Sequence, residues 1–148
     1  MLKKITIIFG ILVLFGMIPY TYTESQAIVV ADVNIYDSRI ISQNNSSFVI
    51  EFDLTNKLGI QPNIRYGVQL VKIDSQNNRS GIADTYIYPE TVNLGENTKI
   101  HKQIFYTAPA SLRGKYELWL ISQNDSGLML ALSQVKEITL TGNISETI

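Results

Sequence analysis

The chain has 148 residues, with 12 Lys+Arg, 13 Asp+Glu, one histidine, no cysteine and a net charge of −1. That length suits one domain, and the near-neutral charge with scattered cations excludes the basic footprint of a nucleic-acid binder. The lack of cysteine excludes a disulfide framework, a thiol nucleophile, thiolate metal ligands and a lipidated cysteine anchor, so stability must come from packing and strand pairing.

The N-terminus reads as an address. Lys3 and Lys4 form a positive start, Ile5 to Ile18 is apolar apart from Thr6, and Pro19 breaks the run. Small residues at Ser25 and Ala27 flank Gln26, which places signal-peptide cleavage after Ala27. The apolar run is short for a membrane span, which needs about 20 residues. The alternative is an uncleaved anchor over residues 1–22, helped by Tyr20 and Tyr22 at the membrane interface. The expected organisation is a signal helix over 1–27, a folded body over 28–141 and a short polar tail over 142–148. The expected location is secreted, periplasmic or cell-surface, or membrane-anchored if the signal stays. Without Lys3, Lys4 and Glu24 the body carries 10 cations and 12 carboxylates, a net −2.

From residue 28 the apolar period is two, as in strands with one buried face. Val29, Ala31, Val33 and Ile35 alternate with Val30, Asp32, Asn34 and Tyr36. Phe48, Ile50, Phe52 and Leu54 follow, then Ile64, Tyr66, Val68 and Leu70. Thr85 to Tyr88 reads as a short edge strand stopped by Pro89. Ile100 to Thr107 is a strand whose blurred alternation suggests a bulge. Lys115 to Ser122 and Leu128 to Leu140 complete about seven strands, the last slipping phase near Ser133–Gln134. Turn residues at Asn44–Ser47, Leu58-Gly59 with Pro62, Asn77-Asn78, Gly95–Asn97 and Asn124–Gly127 separate them. Ser-Gln-Asn recurs at 42–44, 75–77 and 122–124, each time in an expected turn, without the regular interval of a true repeat. With no amphipathic helix between strands, the expected fold is an all-β antiparallel sandwich of about seven strands.

The most specific stretch is PASLRGKYELWLISQNDSGLML, residues 109–130. Leu112, Gly114, Tyr116 and Leu118 form an L-x-G-x-Y-x-L pattern. It resembles the tyrosine corner of immunoglobulin-like and fibronectin type III-like domains, in which a tyrosine near the start of the sixth strand bonds back to the preceding corner. The resemblance implies a structural corner of Leu112, Gly114 and Tyr116, and no function. The chain departs from antibody-type domains by lacking both cysteines and by carrying its single tryptophan, Trp119, on the sixth strand rather than the third.

Candidate chemistry is sparse. His101 has no partner identifiable in sequence for a triad or a metal site. Glu51 and Asp53 share the outward face of one strand, and their plain reading is solvated charge. If they work with His101 as a hydrolase, at least two of the three must converge in a concave pocket, and none is expected of a small sandwich. Asn124–Gly127 is too short and too weakly charged for a calcium loop. No cofactor and no metal are expected. Alternation turns Glu117, Trp119 and Ile121 outward, an apolar patch that fits a partner surface or a sugar-stacking platform; cover by cross-strand neighbours is the opposing reading. N-x-S sequons at Asn44, Asn45, Asn78, Asn124 and Asn143 lie in expected turns or the tail. The expected function is a non-enzymatic binding module outside the cytoplasm, with a protein or glycan partner. The alternatives are an accessory domain or small hydrolase of exported carbohydrate metabolism, and a structural, self-assembling surface subunit.

Overall fold

The computed structural model describes residues 32–142. The expected signal helix over 1–27, Ile28–Ala31 and the expected tail residues 143–148 lie outside the described residues. Seven strands follow in order: β1 (Val33–Asn44), β2 (Ser47–Asn56), β3 (Gln61–Ile73), β4 (Arg79–Leu94), β5 (Thr98–Thr107), β6 (Gly114–Gln123) and β7 (Met129–Leu140). Every pairing is antiparallel. One sheet has the order β1-β2-β5 and the other β4-β3-β6-β7. The two antiparallel sheets enclose one core as a β-sandwich, with the fourth strand in the second sheet, whereas the antibody constant type places that strand in the first.

The period-two pattern forms the core. Phe48, Ile50, Phe52 and Leu54 of β2 face Ile64, Tyr66, Val68 and Leu70 of β3, with Tyr116, Leu118 and Leu120 of β6, and all are buried. Such side chains each contribute roughly 1.5–3 kcal/mol when fully withdrawn from water. At the β4–β5 side, ring contacts run from Phe48 through Tyr106, Tyr86, Tyr88 and Tyr66 to Phe52. The buried tyrosines keep polar partners: Tyr66 donates to Glu90 at 2.6 Å and Tyr106 to Asp84 at 2.5 Å. Buried Asn56 ties two connections together by donating to the carbonyls of Gly59, Leu94 and Gly95.

Four expectations need correction. β1 continues past Tyr36 to Asn44, because extra residues at Asp37–Ser38 and at Ile41 reset its phase without ending its pairing with β2. β4 is not a short piece stopped at Pro89; it spans 16 residues. Pro89 lies on this edge strand within a pairing shift between Ile87 and Thr91, where no ladder hydrogen bond is required of it. β5 contains no bulge and pairs with β2 over its whole length, so its blurred alternation comes from Lys102 and Phe105 taking the faces their register dictates. Of the Ser-Gln-Asn triplets, only 75–77 is wholly a turn; Ser42–Asn44 ends β1, and Ser122 is a buried residue of β6. The phase slip in β7 is an extra residue at Val135 in one continuous strand, with a second at Leu130.

Candidate functional site

The outer face of the four-stranded sheet is read directly from register. One lateral row is Ile87, Gly67, Ile121 and Leu132, and the next is Thr85, Gln69, Trp119 and Gln134. Gly67 is required here, since a Cβ at that position would lie 2.1 Å from the Tyr86 carbonyl oxygen. The β6–β7 hairpin adds Leu128 and Met129, so the β7 side presents three exposed apolar residues, with Leu132 55% exposed.

Glu117, Trp119 and Ile121 all belong to this outer face by register, yet their surroundings differ. Ile121 has no accessible surface. Trp119 is half-buried; its indole N–H donates to Glu117 at 3.1 Å, and the Arg79 guanidinium lies 5.3 Å from its ring centroid. Arg79 in turn pairs with Glu117 at 2.6 Å, which holds the Glu117 carboxyl below its ordinary range. The tryptophan is therefore plated by an ion pair, and the exposed apolar surface of this face lies at Leu132, Met129 and Leu128 on the β7 side and at Ile82 on the β4 side. Alternation alone identified the face; it could not foresee the plate, which needs β4 to bring Arg79 across from 38 positions away.

The structure places Leu112, Gly114 and Tyr116 at the turn into β6. Gly114 has φ +106°, a conformation that side chains resist. The Tyr116 hydroxyl donates to the Arg113 carbonyl at 2.9 Å, and Lys72 donates to the same oxygen at 2.8 Å. The two bonds tie the turn to β6 and to β3 through one backbone oxygen.

On the opposite sheet, the register pairs Asp53 with His101 and Glu51 with Gln103. His101 does not stand alone on a strand face: its Nδ1 is 2.9 Å from Asp53 and its Nε2 is 3.4 Å from Glu51. Arg39 bonds Glu51, and Lys99 lies 3.6 Å from Asp53. The β1 bulge at Asp37–Ser38 walls one side, giving a hollow of about 400 Å³ lined by Asp37, Ser38, Arg39, Glu51, Asp53 and His101. The expectation that these groups would not share a hollow is thus overturned. Sequence reasoning missed it because the wall comes from an irregularity in β1, invisible without the register. The hydrogen bond to Asp53 raises the His101 pKa, and the same bond holds the Asp53 carboxyl low. Its Nδ1 is thus hydrogen-bonded to Asp53 while its Nε2 faces Glu51. Among the described residues, no group of three or more ligating side chains could hold a metal ion.

By sequence, no protein-family model and no curated protein matches the chain. By structure, it is similar to part of a Pseudomonas fluorescens alkylpurine DNA glycosylase, AlkC, at 12% identity and TM-score 0.49, over 76% of this chain and 31% of that one. A β-glucosidase from Kluyveromyces marxianus aligns at 17% identity and TM-score 0.40, over 77% of this chain and 15% of that one. The CARDB domain of a Pyrococcus furiosus protein in complex with di-metal ions aligns at 15% identity and TM-score 0.40, over 80% and 98%. The chain spans about a third of the glycosylase and a smaller share of the glucosidase.

Proposed function

We propose that this protein is a non-enzymatic binding module working outside the cytoplasm, and that it engages a protein partner through the β7 side of the outer face of its four-stranded sheet. The observation that carries this reading is the apolar group Leu128, Met129 and Leu132, exposed together beside the Ile87–Ile121 row at one side of that face. The charged start, apolar run and small-residue cleavage site of residues 1–27 support export. A protein partner fits better than a glycan. A stacking sugar needs a bare aromatic face, whereas Trp119 is plated by Arg79 and its N–H is already bonded to Glu117.

The second reading, a small hydrolase, is favoured by the convergence of His101, Glu51 and Asp53. Its chemistry is unfavourable. A general-acid carboxyl works with a raised pKa, and Asp53 is lowered by its bond to His101. Partner capture by the full chain separates the two. Leu132→Asp should abolish capture while His101→Ala leaves it intact. A hydrolytic activity lost in Glu51→Gln, with capture insensitive to Leu132→Asp, would overturn the proposal.

A further inference from the structure

Each sheet of an open sandwich has two edges, and unpaired edges invite another strand unless they are blunted. Three of the four edges here are interrupted in their backbone. β1 carries extra residues at Asp37–Ser38 and Ile41, β7 at Val135 and Leu130, and β4 has several pairing shifts together with Pro89 and Gly81. β5 has no such interruption: ten residues, no proline, no glycine and an unbroken register, with edge charge confined to its first half at Lys99, His101 and Lys102. β4 meets β5 through side chains, Tyr106 to Asp84 and Lys102 to Glu90. Among the described residues no backbone hydrogen bond joins the two strands.

The direction of the free backbone groups follows from one bond. The Ala108 N–H donates to the Ser46 carbonyl at 2.8 Å, one step beyond the Ser47–Thr107 pair. Hydrogen-bonded pairs in an antiparallel ladder recur at every second residue. Even-numbered β5 residues therefore bond β2, and Lys99, His101, Gln103, Phe105 and Thr107 direct their N–H and C=O groups outward. These five are also the exposed ones, with Phe105 63% exposed.

The side chains say what fits. Lys99, His101 and Lys102 place all the cationic groups in the first half of β5; Ile104, Phe105, Tyr106 and Thr107 make the second half uncharged and largely apolar. We propose that β5 is a self-complementary edge that pairs antiparallel with β5 of a second copy, about a two-fold axis at Gln103. That register sets Gln103 opposite Gln103, His101 opposite Phe105 and Lys99 opposite Thr107. All five outward residues bond, and the cationic half of each strand meets the apolar half of the other. Sliding by one residue turns the backbone groups away from each other. Centring on Lys102 places like charges face to face, which is unfavourable. The outcome is a continuous six-stranded sheet, β1-β2-β5 joined to its symmetry mate. This does not rest on the partner surface proposed above, which lies on the other sheet.

The absence of cysteine gives a clean test. In the full-length Gln103→Cys chain the thiols of two copies would lie directly opposite, within reach of a short thiol-specific cross-linker. The expected yield of covalent dimer is about tenfold above that of Thr85→Cys, an exposed site on the β4 edge, because pairing raises the local thiol concentration. Excess natural chain should suppress the cross-link. Adding Phe105→Pro removes an outward N–H without touching the β2 ladder, and should return the yield to the Thr85→Cys level. Equal yields at the two sites, or a yield indifferent to excess natural chain, would overturn the proposal. An edge reserved for a strand of a different protein would give those equal yields.

Discussion

Tyr116 and His101 show how single side chains are fixed by more than one neighbour. The Arg113 carbonyl receives hydrogen bonds from both Tyr116 and Lys72. Tyr116→Phe therefore removes a bond without orphaning its acceptor, and should cost about 1 kcal/mol in urea denaturation, the ordinary net worth of one hydrogen bond. His101 bridges Asp53 and Glu51, and its pKa is raised above 6.5 chiefly by the hydrogen bond to Asp53. A raised histidine pKa contributes stability that is fully present below the unfolded value and is lost as pH rises through the folded value. Asp53 acts in the opposite sense: its lowered pKa contributes stability above about 3.8, lost as pH falls through the folded value. The prediction is an NMR titration of His101 with a midpoint above 6.5, moved down by Asp53→Asn. An unchanged midpoint in that variant would show that the pair does not form.

At the scale of elements, regular strands were legible in the sequence and irregular ones were not. β2 and β3 were read from the alternation of Phe48–Leu54 and Ile64–Leu70, because two opposed buried faces impose a strict period. The second half of β1 and most of β4 escaped, since one extra residue inverts the inward phase and Pro89 imitates a strand end. The hollow beside His101 was lost for the same reason: its wall is the bulge itself. Gly67 was unreadable too, for its demand comes from a different strand. Gly67→Ala drives a methyl into the Tyr86 carbonyl oxygen, and either β4 shifts or the pairing breaks. The expected cost is about 3 kcal/mol, seen as a lowered denaturation midpoint. A neutral effect would mean that β4 is free to move away from β3.

For the whole molecule, the two sheets offer surfaces of different character. The three-stranded sheet is charged and internally paired around His101, and its regular edge is β5. The four-stranded sheet carries a plated Trp119, a buried Ile121 and the exposed apolar residues of the β7 side. The proposed partner binding uses the second surface and the proposed self-pairing the edge of the first, so the two can operate together. The most direct measurement is site-specific photo-cross-linking in the native setting, with the reactive group at Gln134 on the four-stranded face or at Arg39 on the three-stranded one. The account predicts a discrete adduct with another protein from Gln134, lost when Leu132 is changed to Asp, and none from Arg39. Adducts from Arg39 alone, or a Gln134 adduct untouched by Leu132→Asp, would contradict it.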